Sequence, residues 1–271
     1  TNKMVKLKSS AQIKLMHEGG KILGEMLNIL AQATKPGITT KDLDKLAREL
    51  TRFYEVKPAF LGYNGFPASI CVSLNDEVVH GVPSDRVLKE GDILSLDMGI
   101  EHRGFFTDSA VTVPVLARLS FAEQNLGGLG NNDYKQWAKT NPKLNKLTET
   151  AKAALNAGIK QAKIGNRLGK ISSTIQNIVE KEGFGIIREM VGHGIGRQLH
   201  EEPQIPNYGR PDDGPVLEEG MTLAIEPMIS AGDWHLVQDG LVYKTNDGSC
   251  ATHFEHTVAI TKDGPLVLTK S

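Results

Sequence analysis

The chain has only two cysteines in 271 residues, Cys71 and Cys250, too few for a disulfide framework and without the paired spacing of a zinc finger. Both are expected to be reduced thiols. An excess of charge of either sign is also missing. The 31 Lys and Arg residues nearly balance 32 Asp and Glu, for a formal net charge of −1, and the lysines are scattered. No overall pull toward nucleic acid or anionic lipid follows. No apolar stretch approaches the ~20 residues of a membrane span, and Thr1 to Ser10 lacks the hydrophobic segment of a secretory signal. The expectation is a cytoplasmic protein with neither DNA nor membrane as partner. Its 39% hydrophobic and 23% charged residues leave a sizeable core available.

What the chain does contain is an internal repeat. Residues 87–97 match 216–226 at five of eleven positions, 129 residues apart, and Lys35-Pro36-Gly37 precedes an amphipathic stretch as Lys163-Ile164-Gly165 does. In the first half, Ile13, Met16, Leu23, Leu27 and Leu30 recur at helical spacing behind Ser9 and Ser10. Leu43, Leu46, Ala47, Leu50 and Phe53 predict a second helix behind Thr39 and Thr40. The second half answers with Leu147, Ala151, Ala154, Leu155 and Ile159, then Ile171, Ile175, Ile178 and Val179. Strand-like segments follow at 69–74, 92–99 and 109–115, and again at 222–227 and 255–260. These predict a single α+β domain of two related halves, about 1–115 and 143–271, with a curved antiparallel β-sheet covered by helices. Between them, 116–142 is dense in Gly and Asn and reads as a surface excursion. Its Tyr134 and Trp137 offer either an anchor to the body or a partner site.

The repeat also places acid on acid. Asp97 falls on Glu226 at the ends of matching strands, and Asp108 corresponds to Glu255 at the start of the next pair. A pseudo-two-fold axis would bring the four carboxylates together. Strand alternation gives their face the small residues Ser95, Ala110, Ala224 and Thr257, while Leu94, Leu96, Val111, Val113, Leu223, Ile225, Val258 and Ile260 take the core face. Four ionised carboxylates so placed would repel one another, and burying any of them unpaired is costly. Divalent cations compensate such charge, as in two-metal sites with ions roughly 3.5–4 Å apart.

Between these acids lies Val191-Gly192-His193-Gly194-Ile195-Gly196-Arg197-Gln198-Leu199-His200-Glu201-Glu202-Pro203. This run closely resembles a motif of the type I methionine aminopeptidases, as do Asp97-Met98-Gly99 with Thr107-Asp108-Ser109, Ala224-Ile225-Glu226-Pro227-Met228, and Phe254-Glu255-His256-Thr257. The resemblance covers nearly the whole chain outside 116–142. It implies the pseudo-two-fold pita-bread fold, and metal ligands Asp97, Asp108, His193, Glu226 and Glu255, with Asp108 and Glu255 bridging. It also implies that His80 and His200 contact substrate near the scissile bond. By the same route, Tyr63, Phe66, Cys71, Leu199 and Leu241, with Phe60 nearby, would line a pocket for the methionine side chain. The commonest bacterial pattern is more aromatic at Leu199 and Leu241 and has a second cysteine at Val79. His193 and Glu226 are too close for the large insertion of type II enzymes, and an insertion at 116–142 resembles one subclass of bacterial type I enzymes.

The implied activity is removal of the initiator methionine from nascent polypeptides, with a small second residue preferred. The cofactors would be two divalent metal ions, for which Co, Mn, Fe, Zn and Ni all suit the ligand set. A metal-bridging hydroxide is the expected nucleophile, with Glu226 carrying the proton and His80 and His200 assisting. Nascent chains, and with them the ribosome, are the implied partners, and a monomer is expected. One rival is an Xaa-Pro aminopeptidase or dipeptidase of the same fold, which usually carries an additional N-terminal domain. Another is a non-catalytic relative that binds nascent chains and would be expected to have lost ligands. His253 shares the face of Glu255 and is read first as structural, with support of the ligands as the alternative. His17, His102, His235 and His256 are expected at the surface or in packing.

Overall fold

The computed structural model describes residues 5–117 and 132–270. Helix α1, Ser10–Ala33, starts at a capping box. The Ser9 hydroxyl accepts from the Gln12 amide, and the Gln12 side chain accepts from the Ser9 amide. Its buried stripe contains Ile13, Met16, Leu23, Leu27 and Leu30, so helical spacing alone finds its inner face. Helix α2, Thr40–Phe53, repeats the device with Thr39 and Asp42 and buries Leu43, Ala47 and Leu50. Phe53 departs from the expected stripe. It sits at the last turn, 78% exposed, edge-on to Tyr54.

In the second half, α4 (Pro142–Gln161) and α5 (Gly169–Lys181) bury Leu147, Ala151, Ala154, Leu155, Ile159, Ile171, Ile175 and Val179. They are preceded by α3, Asn132–Thr140, where a surface loop is expected. Trp137 is buried there, its ring lies 5.4 Å from that of Tyr134, and the Tyr134 hydroxyl donates to Asn145 of α4. Of the two expected roles, these residues take the anchoring one. The Gly- and Asn-dense centre of the excursion, 118–131, lies outside the described residues.

One nine-stranded sheet carries the molecule: β1 (Lys57–Pro58), β2 (Cys71–Leu74), β3 (Ile93–His102), β4 (Phe105–Pro114), β5 (Val191–Gly194), β6 (Glu201–Pro206), β7 (Thr222–Ile225), β8 (Glu255–Thr261) and β9 (Gly264–Val267). Its antiparallel order is β1-β3-β4-β8-β7-β5-β6, with β2 also on β3 and β9 also on β8. Leu94, Leu96, Val111, Leu223, Ile225, Val258 and Ile260 join one large core under the helices, and Val113 packs against it. Truncating such a buried leucine to alanine costs about 2–5 kcal/mol. The other face carries a smaller cluster that includes Phe60, Phe66, Cys71, Leu199 and Ala224. Two three-stranded sheets flank the main one, joining Gly185–Ile186, Met228–Ser230 and Ala251–His253, and Glu77–Val79, Leu236–Asp239 and Val242–Thr245. Among the described residues no helix is long and apolar enough to cross a membrane.

The repeat is written in the backbone hydrogen bonds. Gly37 donates to Leu88 and Leu88 to Ile38, as Gly165 donates to Leu217 and Leu217 to Asn166. Gly91 donates to Val115 and Val115 to Asp92, as Gly220 donates to Ile260 and Ile260 to Met221. Gly91 and Gly220 hold φ near +90°, a conformation that costs an L side chain. One part of the expected correspondence is corrected. Leu94 pairs with Val113 and Leu223 with Val258, so the second strands are offset by 145 residues while the first are offset by 129. Glu255 therefore falls on Ala110, and it is His253 that falls on Asp108. A slip of two residues leaves every side chain on its own face, so the acids still share one surface.

Candidate metal centre

The four acids and His193 meet on the face opposite the large core. Asp97, in the middle of β3, stands across from Cys71 on one side and Ala110 on the other. Asp108 and Glu255 are brought together across the seam between the halves. The Asp108 amide donates to the Thr257 hydroxyl, which donates back to the Asp108 carbonyl, and the Ser109 hydroxyl donates to the Glu255 carbonyl at 2.7 Å. Candidate ligand atoms of Asp108, His193 and Glu255 all lie within 4.8 Å of one another. Glu226, one residue beyond β7, places Oε1 3.6 Å from His193 Nε2 and Oε2 3.4 Å from His253 Nε2. Asp97 adjoins Asp108 closely enough to exchange a hydrogen bond with it.

This concentration of acid is buried, with Asp108 4% and Glu255 2% exposed. Among the described residues no lysine or arginine pairs with any of the four, and Asp97 Oδ1 and Glu255 Oε1 are buried without a hydrogen-bond partner. Burial first, and repulsion from neighbouring carboxylates second, pushes Asp97, Glu226 and Glu255 well above the usual carboxylate range. Burial likewise brings Asp108 to about 7, against the pull of the Ser109 amide and Asp97. His193 is held neutral, its pKa lowered to about 3 by burial and by His200. Its Nδ1 lies 2.9 Å from the Gly194 carbonyl, which can only accept, so the proton sits on Nδ1 and Nε2 offers a lone pair to the site. Orphaned carboxylate oxygens, a neutral imidazole aimed among them and no organic cation together fit divalent metal, which takes oxygen and imidazole donors of this kind.

A cavity of about 300 Å³ opens on this floor. Its lining contains every residue named for the site from sequence: the five ligand candidates, His80, His200, Tyr63, Phe66, Cys71, Leu199 and Leu241, and Phe60 as well. Phe60 and Phe66 meet edge-to-face, whereas Leu241 is 42% and Tyr63 37% exposed, so these two form the rim. His80 holds a left-handed backbone, φ 60°, that turns its ring toward Tyr243, and burial lowers its pKa. His200 bonds Tyr63 through Nδ1 and lies edge-on to His193 at 4.3 Å. Burial and His80 lower its pKa.

Sequence reasoning passed over Asn64, Glu189, Met190 and Met228, which also line the cavity, as does Val79. It also ranked the structural reading of His253 first. That ring is 2% exposed, and neither nitrogen makes a hydrogen bond, although Nε2 lies 3.4 Å from Glu226 Oε2. The usable signal was its shared parity with Glu255, and the slipped register is what carries it to Glu226.

Residues 14–262 match the model of metallopeptidase family M24. Methionine aminopeptidase of Clostridium acetobutylicum is 44% identical over 276 residues, covering 98% of this chain and 99% of that protein. Methionine aminopeptidase 1 of Bacillus subtilis is 43% identical, at 98% and 100% coverage. Among solved structures, methionine aminopeptidase from Thermotoga maritima superposes with a TM-score of 0.88 at 42% identity, covering 99% of this chain and all of that one. The Xaa-Pro dipeptidase from Bacillus anthracis shares the fold, with a TM-score of 0.72 at 21% identity over 62% of its own length. The curled sheet is thus the pita-bread fold, and the chain belongs to the methionine aminopeptidases of metallopeptidase family M24.

Proposed function

We propose that this protein removes N-terminal methionine from nascent polypeptides, with a preference for a small second residue. In this reading Asp97, Asp108, His193, Glu226 and Glu255 would hold two divalent cations. The observation that carries it is the convergence of five ligand-type side chains, with no balancing lysine or arginine among the described residues, in one cavity that also has apolar walls of Phe60, Phe66 and Leu199. Divalent cations bound there supply Lewis acidity and lower the pKa of water toward neutrality.

The protein's own groups do the rest. The acidic floor receives the free α-amino group, which restricts cleavage to the first residue. Phe60, Phe66, Cys71 and Leu199 take the unbranched methionine side chain by apolar contact. His200 offers a hydrogen bond to the carbonyl oxygen as negative charge develops on it, and His80 approaches from the opposite wall. Water attacks the carbonyl carbon, and Glu226 takes a proton from that water and passes it to the amine nitrogen as the C–N bond breaks, held for that task beside His253.

The test is hydrolysis of Met-Ala-Ser against an Xaa-Pro peptide, by protein loaded in turn with Co, Mn, Fe, Zn and Ni. Release of methionine from the first and no cleavage of the second is expected. Cleavage of the Xaa-Pro peptide alone would overturn the assignment.

A further inference from the structure

His193 and His200 are seven residues apart and their rings meet edge-on, yet their Nδ1 atoms face opposite chemistry. Nδ1 of His193 meets a carbonyl, which accepts and nothing else, and so must carry the proton. Nδ1 of His200 meets the hydroxyl of Tyr63 at 2.9 Å, a group that can donate. In a neutral imidazole the proton occupies one nitrogen only, and the partner of that nitrogen decides which. A phenol O–H is the stronger donor of this pair and an imidazole nitrogen the stronger acceptor, so the bond runs from Tyr63 to His200.

We propose that Tyr63 is a positioning residue: its hydroxyl donates to Nδ1 of His200 and holds that ring as the tautomer with hydrogen on Nε2. The inference rests on the reading above that His200 faces the scissile carbonyl. Developing negative charge there requires a donor, and a bare Nε2 lone pair would oppose it. Two neighbouring imidazoles are thereby set to opposite tasks, His193 presenting a lone pair and His200 presenting N–H.

The loop carrying Tyr63 is built to hold it. Gly62, Asn64 and Gly65 take positive φ of 82°, 47° and 82°, which turns the chain tightly on both sides of the tyrosine. Gly62 and Phe66 close the loop by a backbone bond of 2.8 Å, and Tyr63 is tied at its own amide to Phe60 and at its carbonyl to Phe66. The phenol ring then lies edge-on to His200 with centroids 5.2 Å apart. Tyr63 is thus tied to a histidine at the cavity's polar end as well as exposed at its rim, a role that apolar contact with methionine does not call for.

The experiment uses protein with 15N-labelled histidine, loaded with Zn(II), which is diamagnetic. Two-bond proton–nitrogen spectra are compared with those of Tyr63→Phe, and His200→Gln identifies the His200 signals. The tyrosine is partly exposed and phenylalanine keeps its ring, so the fold is retained. In the parent protein His200 is expected as the Nε2–H tautomer with a hydrogen-bonded Nδ1. In Tyr63→Phe the Nδ1 resonance moves to that of an unbonded acceptor, and kcat on Met-Ala-Ser falls about tenfold with KM changed less than about twofold. An Nδ1–H tautomer in the parent, or a Tyr63→Phe spectrum and kcat both unmoved, overturns the proposal. A moved resonance in protein that does not cleave Met-Ala-Ser supports the tautomer assignment and sinks the activity reading instead.

Discussion

The two halves of the sheet share their turns and differ in their chemistry. Gly37, Leu88, Gly91 and Val115 in the first half are bonded as Gly165, Leu217, Gly220 and Ile260 are in the second. To the cavity lining, however, the first half brings two aspartates and one histidine, Asp97, Asp108 and His80, while the second brings three glutamates, Glu189, Glu226 and Glu255, and three histidines, His193, His200 and His253. The slip of two residues between β4 and β8 accounts for part of this. Where the first half has Asp108, the second has His253, and Glu255 occupies the level of Ala110. Duplication thus fixes which face is wet and which is core, and leaves the level along each strand free to vary in steps of two.

The strongest way to break that comparison is to remove the acid at the seam. Asp108→Ala should abolish metal occupancy and lower kcat/KM about a thousandfold or more, read by metal analysis and Met-Ala-Ser hydrolysis. Retained activity would refute its ligand role. Next comes pH. Asp108 is raised by burial to about 7, so below pH 7 it is protonated, and a cation must displace that proton to bind. Metal affinity should therefore fall about tenfold per pH unit per displaced proton on going below pH 7, with proton release detected by calorimetry in buffers of different ionisation enthalpy. Affinity that is flat between pH 5 and 7 would count against the burial of these acids.

How much of this was legible beforehand differs by feature. The caps at Ser9 and Thr39, the buried stripe of α1 and the parity of all four acids can be read from the residues, because helices and strands impose fixed periods on side chains. The slip cannot, because alternation with period two looks the same after two steps. The short flanking strands, such as Leu236–Asp239 and Val242–Thr245, are half polar and hold by pairing that no local pattern announces. Helix α3 stands beside a Gly- and Asn-dense run whose loop signal masks it. The motifs around His193, Glu226 and Glu255 point to residues that line one cavity. What single positions do, such as His253 beside Glu226 or Tyr63 on His200, depends on contacts between segments far apart in the chain.

Two smaller effects sharpen the comparison. His253→Gln should lower kcat about tenfold while metal content is kept, since it withdraws the ring beside Glu226 and leaves the five ligands in place. Loss of metal on that change would make His253 part of the ligand set. At the matched turns, Gly91→Ala meets open space and should cost about 1–2 kcal/mol for its positive φ alone. Gly220→Ala has the same φ but would place Cβ 2.7 Å from the Lys8 carbonyl, so it should cost more by about 1–3 kcal/mol in urea denaturation. Equal losses would mean that the Lys8 segment yields freely.

In the proposed function, side chains from both halves enclose a pair of cations. Titrating metal-free protein with Mn(II) while recording its electron paramagnetic resonance tests this most directly, because ions held a few ångströms apart couple magnetically. Two ions per chain and a coupled spectrum are expected. A single ion, or two that give independent signals, would contradict it.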